Sequence, residues 1–375
     1  MKLFCKLPFT RISVDDSGNV WPACCPEWVA FPLGNIFEQS WENIWMGKNA
    51  RLLRESCFDG SLRYCKHTWC PNITDAKAGI DNYHVIPLEK APRQWQPAPP
   101  VHINLNYDPT CNLRCPSCRA DFIKLTPNEL NRVYDLHKYT FKYIVPEVES
   151  IAFTGVGDPF MSKVFRQFMM EFNPADFPRL KVIHLHTNGL LFDEETYTQM
   201  KGLHRIQLST DISIDAASAD VYAIVRPPGK WERLMKNLQF IRKLDNLVLL
   251  GISMVVQRAN MHQLREFVAL GEQLVYGRRE TFVEFKRLRH DPHISAEAYR
   301  QMNVDDAPPD LLRKFSEDLQ YLEQLRQYQN RYRIMPEIRH NLQVYLNTQT
   351  NVSPLPLIVR GRLLARKVFN SVTLG

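Results

Sequence analysis

Short apolar runs alternate with amphipathic stretches along most of the chain. Six runs are β-prone and typical of strands, at residues 101–107, 150–154, 182–187, 206–214, 247–256 and 281–285. The stretches between several of them place apolar residues at helical spacing, at residues 128–143, 162–172, 231–244 and 261–274. This alternation predicts right-handed βαβ crossovers and a parallel sheet, either open or curled into a partial (β/α)6 barrel. We expect the chemistry to lie at the carboxyl ends of its strands.

Composition divides the chain into four segments. Residues 1–86 are rich in Cys and Trp, and the prolines that recur through residues 87–100 are typical of a stiff, extended linker. The βα series occupies residues 101–290, and residues 291–375 are predicted to be helical with a basic tail. The chain is therefore predicted to be an α/β protein. A small Cys-rich domain of a β-hairpin and helices precedes the partial barrel, and a helical C-terminal extension follows it.

The overall composition is that of a folded, soluble protein. Of the 375 residues, 45% are apolar and 23% are charged, which excludes a wholly disordered or fibrous chain. The longest apolar run, residues 247–256, is far shorter than the roughly 18 residues that cross a bilayer, so we expect no integral membrane segment. The N-terminus lacks the apolar core of a secretory signal, which predicts a cytoplasmic location.

The net charge of +7 is concentrated near the C-terminus. Residues 351–375 contain Arg360, Arg362, Arg366 and Lys367 and no acidic residue. This pattern favours a solvated terminal helix or one that touches a membrane surface. A nucleic-acid interface is not favoured, because it would need a wider basic face with aromatic platforms.

All nine cysteines lie between residues 5 and 118, and in a reducing cytosol such clustering favours metal ligation or catalysis over disulfides. Cys111, Cys115 and Cys118 directly follow the first strand of the βα series. Three thiols in eight residues can converge on one inorganic centre and leave a fourth position open, which is the mark of a catalytic metal site. The alternative is a zinc knuckle in which His102 or a distant residue is the fourth ligand.

The Cys-x3-Cys-x2-Cys spacing after the first strand of a βα series resembles the radical S-adenosylmethionine (SAM) superfamily. Residues 153–160, Phe-Thr-Gly-Val-Gly-Asp-Pro-Phe, are similar to the glycine-rich acidic motif of that family, which receives the amino group of SAM. The resemblance implies that Gly155, Gly157 and Asp158 lie at this group, although Val156 and Asp158 depart from the usual pair of glycines and Glu. Residues 186–189, His-Thr-Asn-Gly, resemble the Thr-Asn-Gly turn of the family and bring in Asn188.

The end of the fourth strand continues the resemblance, which covers roughly residues 100–290. It implies that Ser213 and Asp215 lie beside the ribose or methionine part of SAM and that Arg226 lies beside its carboxylate. A guanidinium is a good carboxylate partner on physical grounds as well. The alternatives are that Asp215 caps the next helix and that Arg226 is a surface charge. Ser117 stands where many members have an aromatic residue near the adenine.

The N-terminal cysteines form a second group. The Asp-Asp-Ser-Gly-Asn turn at residues 15–19 predicts a hairpin that brings Cys5 and Cys24 together, and Cys65 and Cys70 supply two more thiols. The layout resembles half of a SPASM domain, which holds an auxiliary [4Fe–4S] cluster, although here it precedes the radical SAM region. Cys25 and Cys57 are the expected spare thiols, either of which is an alternative to Cys24 or Cys65. Structural zinc is the competing interpretation.

The resemblance implies a radical SAM enzyme. Cys111, Cys115 and Cys118 would hold a [4Fe–4S] cluster whose fourth iron binds SAM, and an external flavodoxin-like or ferredoxin-like protein would supply one electron. The 5′-deoxyadenosyl radical would then take hydrogen from a peptide or protein substrate, or from a sugar or other small metabolite. The auxiliary cluster favours an oxidative outcome.

Two further points remain open in the sequence. Glu284, Lys286, Arg287 and Arg289 either contact an anionic substrate or form an exposed charged rim. The rival of a different class is a non-catalytic, zinc-stabilised protein whose basic tail binds nucleic acid.

Overall fold

The computed structural model describes residues 2–22, 26–77, 79, 83–94, 98–153, 156–275, 277, 280–289, 294–328 and 332–334. The strands are β1 Leu3–Cys5, β2 Arg11–Asp15, β3 Asn19–Trp21, β4 Gly34–Asn35, β5 Val85–Pro87, β6 His102–Asn106, β7 Ser150–Phe153, β8 Val182–Thr187, β9 Gln207–Ser213, β10 Leu247–Val256, β11 Glu280–Arg287 and β12 Tyr332–Ile334. The helices are α1 Leu7–Thr10, α2 Trp41–Trp45, α3 Lys48–Phe58, α4 Pro71–Lys77, α5 Pro127–Tyr143, α6 Lys163–Glu171, α7 Glu194–Gln199, α8 Ala219–Val225, α9 Trp231–Ile241, α10 Leu264–Gln273, α11 Ala296–Met302 and α12 Pro309–Tyr328. The predicted basic tail at residues 351–375 lies outside the described residues.

The strands β6 to β11 are parallel neighbours in chain order, and helices connect them. This arrangement confirms the predicted α/β fold with a partial barrel of six βα units, and α11 and α12 confirm that helices follow it. The strand β12 adds a further parallel neighbour to β11. None of the helices in the described part of the chain combines the length and the hydropathy needed to cross a bilayer.

The sheet continues into the N-terminal segment. The strand β2 pairs in parallel with β6 over its whole length, and β3 and β4 extend the sheet from β2 in antiparallel fashion. The turn between β2 and β3 is the predicted hairpin, and Asp15 organises it: its carboxylate accepts the backbone N–H groups of Ser17 and Asn19 at 3.0 and 2.9 Å. Gly18 has a φ of 83°, which favours glycine in this turn.

The parallel sheet has one apolar and one polar face. In β8, Ile183 and Leu185 are fully buried and join the main core, whereas His184 and His186 alternate with them and remain partly exposed. The same alternation occurs in β6, where Ile103 and Leu105 face the core and the intervening side chains are polar. Burial of each such Leu or Ile stabilises the fold by about 1.5–3 kcal/mol, so the register of the strands is fixed and the polar face is left for the inside of the barrel.

Hydrogen bonds along the polar face connect neighbouring strands. His102 and Ser150 lie 2.6 Å apart, His184 and Ser209 lie 2.8 Å apart, and Asn106 donates to Ser13 of the N-terminal hairpin at 2.7 Å. These contacts place polar side chains of six strands on one continuous inner surface, which we call the inner face. It consists of Ser13, His102, Asn104, Asn106, Ser150, His184, His186, Ser209, Asp211, Ser213, Glu284 and Lys286.

Candidate functional site

The loop with three cysteines follows β6 at the carboxyl edge of the sheet. Asp108 begins the loop and is 2% exposed, and its carboxylate accepts both the backbone N–H and the hydroxyl of Thr110, at 2.9 and 2.6 Å. The carbonyl of Cys115 accepts the N–H groups of Cys118 and Arg119 at 2.9 and 3.0 Å, which closes a tight turn. The loop is therefore held at both ends, independently of any ligand.

The three sulfurs of this loop lie close enough to interact electrostatically. Burial raises the pKa of Cys115 to about 11 against the lowering effect of Arg226, and charges on Asp215, Cys111 and Cys118 contribute to the rise. Arg119 is buried and donates two hydrogen bonds to the Cys118 sulfur, from Nε at 3.4 Å and Nη2 at 3.3 Å. The Cys111 sulfur accepts the backbone N–H of Leu113 at 3.5 Å. Two half-buried thiols that accept N–H groups, beside the buried Cys115, fit an iron–sulfur cluster, which needs thiolates in a protected setting.

The loop after β7 presses against the cysteine loop. A Cβ atom on Gly157 would lie 2.4 Å from the carbonyl oxygen of Asp108 and 2.5 Å from that of Thr110, so only glycine permits this approach. Asp158 is 2% exposed, and its backbone N–H donates to the carbonyl of Thr110 at 2.8 Å. Its carboxylate accepts the Thr187 hydroxyl at 2.7 Å and the Asn188 N–H at 2.9 Å. Asp158 thus connects the loops that follow β6, β7 and β8.

Asn188 reaches the cysteine loop directly. Its Nδ2 lies 3.7 Å from the Cys111 sulfur and 2.8 Å from Oδ1 of Asn112, and both acceptors receive hydrogen bonds from it. Gly155, the remaining predicted residue of the glycine-rich motif at residues 153–160, lies outside the described residues.

The end of β9 places a strained, buried ion pair next to the cysteines. Asp215 has a φ of 59°, unusual for a residue with a side chain, and its Oδ1 accepts the Val255 N–H at 2.7 Å. Its Oδ2 lies 2.6 Å from Nη2 of Arg226. Burial alone would lower the pKa of Arg226, but the Asp215 carboxylate raises it above its ordinary value, so the guanidinium is charged.

Two buried polar atoms at this ion pair lack a partner among the described residues, namely Nε of Arg226 and the hydroxyl of Tyr222. Arg226 and Asp215 both act electrostatically on Cys115. Ser213 lies on the inner face, where its hydroxyl is 3.1 Å from Nε2 of His186. Buried donors without acceptors beside a cysteine loop fit a ligand that carries a carboxylate and hydroxyl groups, as SAM does.

The N-terminal cysteines occupy a second, separate apolar cluster. Cys5 ends β1, Cys57 lies in the last turn of α3, and Cys70 directly precedes α4; all three are buried, and the half-buried Cys65 packs against them. Burial, followed by charges on Cys57, Cys65 and Cys70, raises the pKa of Cys5 well above its ordinary value. The structure therefore brings Cys5, Cys65 and Cys70 together. It places Cys57, the expected spare thiol, with them.

The fourth predicted ligand of this group, Cys24, lies outside the described residues, as does Cys25. Within the described ranges, no three or more His, Cys, Asp or Glu side chains already surround a position for a metal ion.

Sequence reasoning missed several residues of the site. Arg119 adjoins a predicted ligand, and an arginine directly after a cysteine is the only local signal for its contact with sulfur. Asp211 lies on the inner face, where its Oδ2 is 2.9 Å from Nζ of Lys286, a residue that the sequence had indicated only as a possible substrate contact. The signal for Asp211 was the alternation of polar and apolar residues in the neighbouring strand β8, which indicates a polar lumen.

The comparisons with known proteins match these two cysteine regions. Residues 105–271 match the family model of the Radical SAM superfamily, and residues 5–71 match that of SPASM, an iron–sulfur cluster-binding domain. Mycofactocin maturase MftC from Mycolicibacterium smegmatis is 28% identical over 238 residues, which are 58% of this chain and 55% of that protein. Molybdenum cofactor biosynthesis protein 1 from Dictyostelium discoideum is 24% identical over 180 residues, 45% of this chain and 26% of that protein. The chain thus spans about half the length of these curated relatives, or less.

Among solved structures, anSMEcpe with bound AdoMet gives a TM-score of 0.44 at 19% identity, covering 63% of this chain and 64% of that one. Streptococcus suis SuiB bound to precursor peptide SuiA gives a TM-score of 0.42 at 12% identity, covering 63% of this chain and 49% of that one.

The matched regions agree with the sequence prediction in identity and in order. Radical SAM domains bind a [4Fe–4S] cluster and SAM, and SPASM domains bind auxiliary iron–sulfur clusters. The SPASM match precedes the radical SAM match, as predicted. The chain carries a radical SAM domain at residues 105–271 and, ahead of it, a SPASM domain at residues 5–71.

Proposed function

We propose that this chain cleaves SAM reductively at the loop of Cys111, Cys115 and Cys118 and abstracts hydrogen from a peptide substrate. The observation that carries this proposal is the loop itself. Its three thiols lie at the carboxyl edge of a parallel sheet, those of Cys111 and Cys118 accept N–H groups, and that of Cys115 adjoins the buried Asp215–Arg226 pair. The bound cluster and SAM supply the chemistry: one electron cleaves the sulfonium into methionine and a 5′-deoxyadenosyl radical, which takes one hydrogen atom from carbon.

The residues of the chain orient SAM and exclude water from it. Arg226 is proposed to bind the carboxylate of SAM through its unpartnered Nε, while Asp215 holds the guanidinium in place. Tyr222 and Ser213 offer hydroxyls toward the ribose or the methionine part, and the loop containing Gly155, Gly157 and Asp158 is proposed to receive the amino group. Burial around Cys115 keeps water from the reactive centre.

The N-terminal thiols are proposed to hold one auxiliary [4Fe–4S] cluster through Cys5, Cys24, Cys65 and Cys70. A fully ligated cluster held by these thiols would supply an acceptor for one electron of the substrate radical, whose proton would leave to solvent or a base, which favours an oxidative outcome. SPASM-type relatives commonly modify peptides, which favours a peptide over a small metabolite. The first electron is proposed to come from a flavodoxin-like or ferredoxin-like protein of the cytoplasm.

Anaerobic reconstitution with iron and sulfide tests the proposal. We expect a brown protein with about eight irons per chain and dithionite-dependent release of 5′-deoxyadenosine from SAM. The Cys115→Ala variant should retain about four irons per chain and should release no 5′-deoxyadenosine from SAM. A colourless protein that binds zinc stoichiometrically and leaves SAM intact would instead support the zinc-stabilised binding protein.

A further inference from the structure

A charged cluster lies on the inner face of the barrel, away from the cysteine loop. Nζ of Lys286 lies 2.9 Å from Oδ2 of Asp211 and 3.2 Å from Oε2 of Glu284. Nδ1 of His186 lies 3.4 Å from the same Asp211 oxygen. The residue of β10 in register with Asp211 is Gly251, and the ring of Phe282 on β11 covers it. We call these four side chains, Asp211, His186, Glu284 and Lys286, the lumen cluster.

The lumen cluster carries one more negative than positive charge. Burial would raise the pKa of Asp211, but the Lys286 ammonium outweighs it and holds that pKa below its usual range. Burial lowers the pKa of His186 to about 4, so its imidazole is neutral at pH 7. Two carboxylates therefore share the single positive charge of Lys286, and the formal sum is −1.

One carboxylate oxygen of the lumen cluster lacks a donor. Asp211 is 4% exposed, and its Oδ1 has no hydrogen-bond partner among the described residues. A buried, ionised oxygen without a donor is costly, because its hydration is lost and nothing replaces it. The side chains of His186, Glu284 and Lys286 are 28%, 23% and 23% exposed, so the cluster remains open to the lumen.

The cluster is in line with the proposed SAM site. Asp211 precedes Ser213, the last residue of β9, by two residues, and at about 3.3 Å per residue the strand advances about 7 Å over that interval; Asp215 follows two residues later. The hydroxyl of Ser213, two residues beyond Asp211, is hydrogen-bonded to His186 of the cluster. The part of a substrate that reaches deepest into the barrel, beyond SAM, would therefore contact the lumen cluster.

We propose that the lumen cluster binds a protonated amine of the substrate, which donates a hydrogen bond to Oδ1 of Asp211 and neutralises the surplus negative charge. The proposal rests on the proposed function, in which the barrel receives a peptide. A peptide offers this group in two places, its N-terminal amine and a lysine side chain. The anionic substrate considered from the sequence is disfavoured, because two carboxylates already flank Lys286, and Arg287 pairs with Asp305 at 2.8 Å.

Four capped amino acids of similar size probe the site on the anaerobically reconstituted, SAM-bound enzyme, with affinities measured by calorimetry. Nα-acetyl-lysine N-methylamide carries a side-chain amine, and norleucine N-methylamide carries an α-amine. Nα-acetyl-norleucine N-methylamide is neutral, and Nα-acetyl-glutamate N-methylamide is anionic. We expect one or both cations to bind at least about tenfold more tightly than the neutral and anionic probes. The cation that binds more tightly identifies the source of the amine.

Variants locate the binding. Asp211→Asn and Glu284→Gln should each weaken binding of the preferred cation by about tenfold or more, and Glu284, being less buried, covers the case in which the Asp211 variant does not fold. Glu280→Gln, on the same strand but exposed and at its start, should leave the affinity unchanged. A preference for the neutral or anionic probe, or unchanged cation affinity in both cluster variants, overturns the proposal.

Iron content and SAM cleavage, measured in the same preparations, distinguish failure of the amine-site proposal from failure of the proposed function. Intact SAM cleavage without a cation preference rejects the amine site alone. A wild-type protein that does not cleave SAM rejects the proposed function, whatever it binds in the lumen.

Discussion

Arg119 is expected to influence the midpoint potential of the proposed SAM-binding cluster. Its Nε and Nη2 donate to the Cys118 sulfur, and its Nη1 donates to the carbonyl of Pro109 at 2.7 Å. Hydrogen bonds and positive charge at a cluster sulfur stabilise the reduced, more negative form of the cluster. Substitution of Arg119 with methionine keeps an extended apolar stem and removes both donors and the charge, so we expect a lower midpoint potential.

The structure sets the size of this effect. If each of the two N–H···S bonds favours the reduced state by about 1 kcal/mol, their loss amounts to about 2 kcal/mol. A one-electron couple shifts by 59 mV per tenfold change in its equilibrium constant, so about 2 kcal/mol corresponds to roughly 90 mV. Removal of the guanidinium also leaves the Pro109 carbonyl without this donor, so a modest loss of stability should accompany the shift.

The assay is a redox titration of the reconstituted enzyme, followed by electron paramagnetic resonance of the reduced cluster and by iron analysis. Arg114→Met is the matched control, because Arg114 lies in the same loop, carries the same charge and is exposed. A shift of less than about 20 mV in Arg119→Met with full iron content, or an equal shift in Arg114→Met, would refute the reasoning.

Three further predictions concern the cysteine loop, the buried His137 and the second cysteine group. Gly157→Ala should displace the cysteine loop, because the new Cβ would lie 2.4 Å from a backbone oxygen, and iron analysis should find about four fewer irons per chain; full iron content would contradict this. Burial lowers the pKa of His137 to about 4, so the unfolded chain binds a proton at higher pH than the folded one, and stability is lost as the pH falls from about 6.5 to about 4. The free energy of unfolding, measured with urea at several pH values, should depend less steeply on pH in His137→Phe than in the wild type, by up to about 1.4 kcal/mol per pH unit. Equal slopes in the two proteins would count against a buried neutral imidazole. Cys70→Ala should lose about four irons and product formation while it still cleaves SAM, whereas Cys57→Ala should keep both clusters; product from Cys70→Ala would remove the role proposed for the N-terminal group.

The position of the SPASM region before the barrel has a structural consequence. The strand β2 pairs with β6 from Arg11 opposite His102 to Asp15 opposite Asn106, so backbone hydrogen bonds fix the N-terminal segment to the first strand of the barrel. Cys5 lies one short helix before β2, and the three-cysteine loop begins after β6. The two cysteine groups are therefore attached to neighbouring strands of one sheet, which holds the proposed cluster sites at a fixed separation.

The sequence predicted the parts of the fold that depend on local pattern. The bounds of β8 and β10 agree with the predicted runs because each run is bordered by polar or turn-forming residues. The hairpin of β2 and β3 was predictable because Asp15 and Gly18 specify the turn locally.

Other features depend on contacts distant in sequence. The pairing of β2 with β6 joins segments about ninety residues apart, as in the bond from Asn106 to Ser13, and no local signal encodes it. The contact between Lys286 and Asp211 spans 75 residues, so the sequence showed Lys286 only as one charge in a basic run. The proposed SAM contacts were predictable only as far as the family resemblance extends, because these residues lie in different loops, at the ends of separate strands.

The central claim is that the three cysteines hold a cluster with one iron open to SAM. Electron–nuclear double resonance on the reduced enzyme, with SAM labelled with nitrogen-15 in its amino group, measures this contact directly. We predict a nitrogen-15 hyperfine coupling to the cluster in the wild type, which disappears in Cys115→Ala. A reduced, fully loaded cluster without such a coupling would contradict the claim.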